Sequence, residues 1–170
     1  MPNQTLTDFN HLAPTAAVQA ILPCNGSLAW AEGVAAARPF ATPESLFEAS
    51  DKVWLGLSKK AWQHAFDSHP RIGEHKAKVA TEQSLKWSEG EQAAAQLTED
   101  TQTVLAAANR EYEAKFGRIF IVCASGKTAA EMLGILRSRL TNDPEKELRI
   151  AAEQQRQITQ IRLRKWLGIP

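Results

Sequence analysis

Apolar residues recur along this chain at steps of three and four, and the places where that spacing stops carry helix caps or breakers, a pattern that predicts helices rather than strands. Thr42-Pro43 sets an N-cap before a proline at the first helical position, opening a helix with Leu46, Phe47, Val53 and Trp54. A second helix runs from about Ser58 through Trp62 and Phe66 and cannot continue past Pro70, so His69-Pro-Arg-Ile-Gly-Glu74 is a loop. Helical pattern resumes near Ser88. From Leu97 to Phe116 the positions Leu97, Val104, Leu105, Ala108, Tyr112 and Phe116 form one apolar face that Gly117 ends. Thr128-Ala-Ala-Glu131 is a capping box ahead of Met132, Leu133, Leu136 and Leu140, and Asn142-Asp-Pro144 stops that helix. The last helix runs from about Pro144 to Leu167. Only Ile119-Phe-Ile-Val-Cys123 has the β-branched character of a strand. The expected fold class is therefore all-α.

The chain has 170 residues, which at about 150 per domain gives one continuous domain over residues 1–170. No repeat or low-complexity linker divides it, and the alanine patches Ala35 to Ala37 and Ala93 to Ala95 suggest close helix contacts. Twenty Lys and Arg against nineteen Asp and Glu leave a net charge of +1 with the signs interspersed. That balance gives no electrostatic footprint for nucleic acid or an anionic membrane, so a small molecule is the expected partner. Cys24 and Cys123 are far apart and fit neither a disulfide scaffold nor a C-x-x-C pair. With no secretory N-terminus and no apolar run of about 18 residues, a cytoplasmic location is expected.

Ser125-Gly-Lys-Thr128 imitates the end of a phosphate loop, but Ile121 stands where its first glycine belongs, and the capping box already accounts for these residues. No two of His11, His64, His69 and His75 have the i, i+4 spacing of a helical metal site, so no metal is expected. His69 is set apart by the proline-stiffened loop, which can hold its ring toward a cleft as an acid or base needs, although a structural role suits the same position. Ser88-Glu-Gly-Glu91 fits a capping box, with Gln92 beside it. Glu91 then either satisfies a helix-terminal amide or, with Gln92, faces a bound polar ligand. On the last helix Ala151, Gln155, Ile158, Arg162 and Trp166 share an inward stripe, so Arg162 is either snorkelling or awaiting an acidic or carbonyl-rich partner.

Five segments in order, His69-Pro-Arg-Ile-Gly-Glu74, Ser88-x-x-Glu91-Gln92, Tyr112-Glu-Ala-Lys-Phe-Gly117, Asn142-Asp-Pro144 and Ile158-Thr-Gln-Ile-Arg-Leu163, resemble the 2-oxo-4-hydroxy-4-carboxy-5-ureidoimidazoline (OHCU) decarboxylases. The resemblance implies an all-helical homodimer that needs no cofactor and converts OHCU to (S)-allantoin in urate breakdown. It implies His69 as catalytic acid/base with Glu91 as its carboxylate partner, and Pro70, Ser88, Gln92 and Arg162 around the substrate. It also implies that backbone groups of Ile121, Val122, Cys123, Ala124 and Ser125 hold the ureido arm. Arg118-Ile119 stands where many members have Phe-Pro after the Phe-Gly pair. The chain closes on Gly168-Ile-Pro170, without a peroxisomal tripeptide or a fused transthyretin-like segment, so a standalone enzyme is expected. The rival from another class is a catalytically silent helical interaction module, with a nucleic-acid-binding helical domain behind it. His69, Glu91 and Arg162 together separate them, because a docking module needs no acid/base pair beside an inward cation.

Overall fold

Local capping chemistry sets most helix boundaries, and the computed structural model describes residues 1–72, 80–92 and 99–170, apart from the side chain of Glu99. Among them are nine α-helices and no strand. The chain resolves into two compact units, one of Met1–Ala65 with Arg156–Pro170 and one of Phe66–Gln155.

In the first unit three helices precede Thr42, where the spacing marked none: α1 (Gln4–His11), α2 (Pro14–Ile21) and α3 (Leu28–Ala36). They are only eight or nine residues long, too short for a three- and four-residue repeat to accumulate, and local caps delimit the first two. Asn3 accepts from the Leu6 N–H at the start of α1, and Pro14 occupies the first turn of α2. Then follow α4 (Pro43–Leu55), opened by Thr42 as its spacing predicts, and α5 (Lys59–Asp67). Trp30, Trp54, Phe9, Ile21, Leu46 and Leu163 are buried in this unit. Of the alanine patch, Ala35 is buried whereas Ala36 and Ala37 are exposed, so it lends one residue to a contact. The close approach is at Gly33, where an added Cβ would sit 2.7 Å from a Val53 methyl.

The second unit holds the loop after α5, then α6 (Glu82–Glu91), α7 (Glu99–Phe116), α8 (Ala129–Arg139) and the first half of α9 (Pro144–Trp166). Its core joins Leu105, Tyr112 and Phe116 of α7 to Met132 and Leu136 of α8, with Ile72, Phe120 and Val122 from the connecting segments. Val104, expected on the inner face of α7, is exposed instead, since Leu105 and Ala108 already fill the buried stripe. Gly117 ends α7 with φ +71°, a conformation that favours glycine, and Thr128 and Glu131 form the expected capping box of α8. Leu97, Gly73, Glu74, His75 and Ala93 to Ala95 lie outside the described residues.

One boundary differs from expectation. α6 starts at Glu82, six residues before Ser88, and its cap is Thr81, whose hydroxyl accepts from the Ser84 N–H while the Ser84 hydroxyl accepts from the Thr81 N–H. Ser88-x-x-Glu91 is thus no capping box. Ser88 lies inside the helix, its hydroxyl donating to the Ser84 carbonyl at 3.0 Å, and Glu91 is the final helical residue. A serine performs the work that the usual box assigns to Glu or Gln, so this start carries no recognisable signature.

Candidate active site

The loop that follows α5 is tied at three successive points. His69 is 8% exposed, and its Nε2 lies 2.7 Å from Oε1 of Gln155, which is fully buried on α9. Pro70 is buried beside it, and Arg71 Nε donates to Glu113 Oε1 of α7 at 2.7 Å, while Ile72 enters the core. A histidine so bracketed has little rotational freedom, as a group that must meet one substrate atom requires.

Ser88, Glu91 and Gln92 stand at i, i+3 and i+4 on the closing turn of α6, so their side chains share one face. Ser88 and Glu91 are buried and Gln92 half-buried. At a helix C-terminus the macrodipole opposes a carboxylate by about 0.3–1 kcal/mol. With a capping role excluded as well, helix stability does not explain the placement of Glu91.

The strand-like run from Ile119 forms neither helix nor strand, and pairs with no strand among the described residues. Ile121, Val122, Cys123 and Ala124 are buried and Ser125 is exposed. Side chains supply what a sheet would: Arg139 Nη1 donates to the Ile121 carbonyl at 2.7 Å, Gln154 Oε1 accepts from the Cys123 N–H at 2.9 Å, and Lys127 Nζ donates to the Cys123 carbonyl at 2.7 Å. Residues 121 and 123 are held by these bonds, whereas no hydrogen bond of the intervening Val122 backbone is found among the described residues. Buried backbone groups are normally paired, so the Val122 donor and acceptor stand out among the described residues.

Behind this segment Arg139 is anchored by Glu147, with Nε donating to Oε1 at 2.6 Å. The same carboxylate accepts from the Tyr112 hydroxyl at 2.7 Å and from Asn142 Nδ2 at 3.0 Å. Arg139 also lies over the Phe120 ring, 4.6 Å from its centroid. Burial, then the hydrogen bond to Glu147, pushes the Tyr112 phenol up to about 12, with Arg139 opposing. Two of the motifs behind the family resemblance, around Tyr112 and Asn142, therefore meet on one buried carboxylate.

Arg162 belongs to the other unit and is fully buried, as the stripe predicts, its Nη1 donating to the Pro23 carbonyl at 3.2 Å. Burial pushes the nearby Cys24 thiol up to about 12, and the Arg162 charge partly offsets it. Asn25 donates to the Thr159 hydroxyl of α9 at 3.0 Å, closing the Pro23–Asn25 turn onto this part of the helix. Cys24 and Cys123 are both free and buried. Among the described residues no three His, Cys, Asp or Glu side chains cluster as metal ligands, and no helix is long and apolar enough to cross a membrane.

Gln155 stands on the inward stripe legible in the sequence, but its contact to His69, the contact of Gln154 and the Arg139–Glu147 pair leave no local mark there. A polar residue on an apolar stripe was the available signal for Gln155; the other contacts join residues whose approach no local pattern encodes.

A family model for OHCU decarboxylase matches residues 10–164. The chain is 37% identical over 145 residues to the uric acid degradation bifunctional protein TTL of Arabidopsis thaliana, covering 84% of this chain and 44% of that one. It is 28% identical over 129 residues to the uric acid degradation bifunctional protein of Bacillus sp. (strain TB-90), covering 74% of this chain and 24% of the relative. It thus spans less than half of either relative. A crystal structure of OHCU decarboxylase in the presence of (S)-allantoin superposes with a TM-score of 0.76 at 33% identity, covering 86% of this chain and 96% of that one. An (S)-allantoin synthase structure, at 19% identity and a TM-score of 0.71, shares the fold over 97% of this chain and 53% of its own. Matched from residue 10 to residue 164, the chain belongs to the OHCU decarboxylase family.

Proposed function

We propose that this protein is a carboxy-lyase that converts OHCU to (S)-allantoin in urate degradation, with residues 1–170 as one catalytic domain. The observation that carries the reading is the match to the family along residues 10–164, which include the buried, oriented His69. The substrate supplies its own electron sink. As the bond from the ring carbon to the carboxylate breaks, its electron pair moves into the adjacent ring imine and carbon dioxide leaves. The imine nitrogen takes up a proton from solvent. The resulting enamine-like intermediate then loses its hydroxyl proton and gains one on the neighbouring ring carbon, giving the carbonyl and the stereocentre of allantoin. On this chemistry no cofactor or metal is needed. The protein orients the substrate, excludes water and moves protons.

His69 and Glu91 carry the proton steps in this reading, on the hydroxyl and then on one face of the ring carbon. Pro70, Ser88 and Gln92 line the substrate, and the backbone of Ile121, Val122, Cys123, Ala124 and Ser125 holds the ureido arm. The Val122 amide, without a partner among the described residues, supports that last assignment. Arg162 holds a ring or ureido carbonyl. Pairing it with the departing carboxylate would stabilise the charged ground state more than a transition state in which that charge disperses. A cytoplasmic homodimer completes the reading and rests on the family resemblance and composition.

The test gives freshly generated OHCU to wild type, His69→Gln and Glu91→Gln and follows absorbance with circular dichroism. Wild type should yield optically active (S)-allantoin. His69→Gln should leave the substrate to its spontaneous, racemic decay, and Glu91→Gln should lose most turnover while unfolding at nearly the same temperature. Rapid formation of optically pure product by His69→Gln would remove His69 from the mechanism.

A further inference from the structure

An imidazole nitrogen 2.7 Å from an amide oxygen must carry a proton, since the oxygen can only accept. We infer that Gln155 is the positioning residue of His69: its Oε1 takes the Nε2 proton in a lasting hydrogen bond, fixes the ring plane, and makes Nδ1 the nitrogen that exchanges protons with substrate. The inference rests on His69 being the acid/base of the proposed reaction, and it adds the atom through which His69 works and the residue that selects it.

Both partners are buried, at 8% and 0% exposure, so water does not compete for Nε2 and the neutral ring is held as one tautomer. The choice of an amide has chemical content. A carboxylate at position 155 would orient the ring equally well but would hold it as imidazolium, raising its pKa by about one unit or more. An imidazolium cannot take the substrate hydroxyl proton. An amide fixes the tautomer without adding a negative charge that would hold the ring protonated. Orientation thus falls to Gln155.

The neighbouring residue makes the placement reciprocal. Gln154 Oε1 accepts from the Cys123 N–H at 2.9 Å. Two successive residues of one helix therefore hold the histidine ring and the segment that carries the Val122 amide. Residues on a helix are spaced by about 1.5 Å of rise, so α9 acts as a fixed gauge between proton donor and backbone cradle.

The experiment has a spectroscopic arm and a kinetic arm. Long-range proton–nitrogen NMR on nitrogen-labelled wild type, with His69 assigned by its loss in His69→Gln, should show neutral His69 protonated on Nε2. Gln155→Leu should convert it to a mixture of tautomers. Gln155→Leu should also lose about 10- to 100-fold in kcat, the range found when a partner that orients a metal-ligating histidine is removed, with KM little changed. Gln155→Glu should keep the tautomer and move the acidic limb of kcat/KM upward by about one pH unit or more. Neutral His69 protonated on Nδ1 in the wild type, or pH profiles of both variants that superpose on wild type, would overturn the assignment. Failure of wild type to consume OHCU would instead sink the proposed activity, and the tautomer measurement would still decide the role of Gln155.

Discussion

Replacing Tyr112 by phenylalanine removes a single oxygen from the buried network around Glu147, and its effect should change sign with pH. The phenol donates to Glu147 Oε1 at 2.7 Å with both residues fully buried. A hydrogen bond to a charged acceptor contributes about 1.5–3 kcal/mol. Glu147 keeps Arg139 and Asn142 in the variant, so the lower end applies, about 1.5 kcal/mol, or roughly 3–6 °C in Tm for a chain of this length. In the folded protein the phenol is pushed from 10.0 to about 12. Above pH 10 the unfolded chain therefore releases the tyrosine proton first, binds fewer protons than the native state, and grows relatively more stable. The stabilisation linked to this raised pKa is complete below pH 10 and is lost between pH 10 and 12, at about 1.4 kcal/mol for each pH unit crossed. Phenylalanine has nothing to titrate. The advantage of wild type over Tyr112→Phe should thus hold at about 1.5 kcal/mol near pH 8, close near pH 11 and reverse above it. Urea unfolding of both proteins at pH 8, 10 and 11.5 measures the difference directly, and the alkaline loss due to Cys24 cancels between them. Tyr112 is the chain's single tyrosine, so tyrosinate absorbance titrates it alone. A difference that stays constant through pH 11.5, or tyrosinate appearing near pH 10 in the folded protein, would refute the reasoning.

Thr81→Ala should cost about 1 kcal/mol of stability as loss of the true α6 cap, whereas Ser88→Ala should cost less and act on turnover; equal stability losses in urea would restore a capping role to Ser88. Gly33→Ala should destabilise by about 1–3 kcal/mol, because the new methyl would lie 2.7 Å from a Val53 methyl. Adding Val53→Ala should recover part of that loss in a double-mutant cycle, and strict additivity would show that the two sites do not meet.

The elements legible in the sequence are those whose ends are written in local chemistry. Thr42-Pro43, Thr128 with Glu131, Gly117 and Asn142-Asp-Pro144 bound α4, α7, α8 and α9 as expected because caps and breakers act within a few residues. α6 escaped because Thr81 pairs with Ser84 rather than with Glu or Gln, while Ser88-x-x-Glu91 copied the familiar signature inside the helix. His69 stood out through its proline loop. Its partner did not, since 86 residues separate it from Gln155 and only the packed chain brings them together. Arg139 and Glu147 stand eight residues apart across a helix break, outside any helical register in which charge pairs are sought.

The segment from Ile121 to Ala124 is held as a strand would be whose neighbour has been dismantled and redistributed among other parts of the chain. In a sheet the partner strand would supply its backbone, which every residue type except proline carries, and mutation there would be broadly tolerated. Here the partnering falls to the tips of Arg139, Gln154 and Lys127, which only particular side chains can replace. In the proposed site the segment would offer a ligand backbone, largely indifferent to its own side chains so long as they pack. Substitution at Val122 by another β-branched residue should therefore matter less than at Arg139, a residue that need touch no substrate. The information that shapes this part of the site is stored away from it, and a search for altered specificity would find its leverage on α8 and α9 rather than in the segment itself.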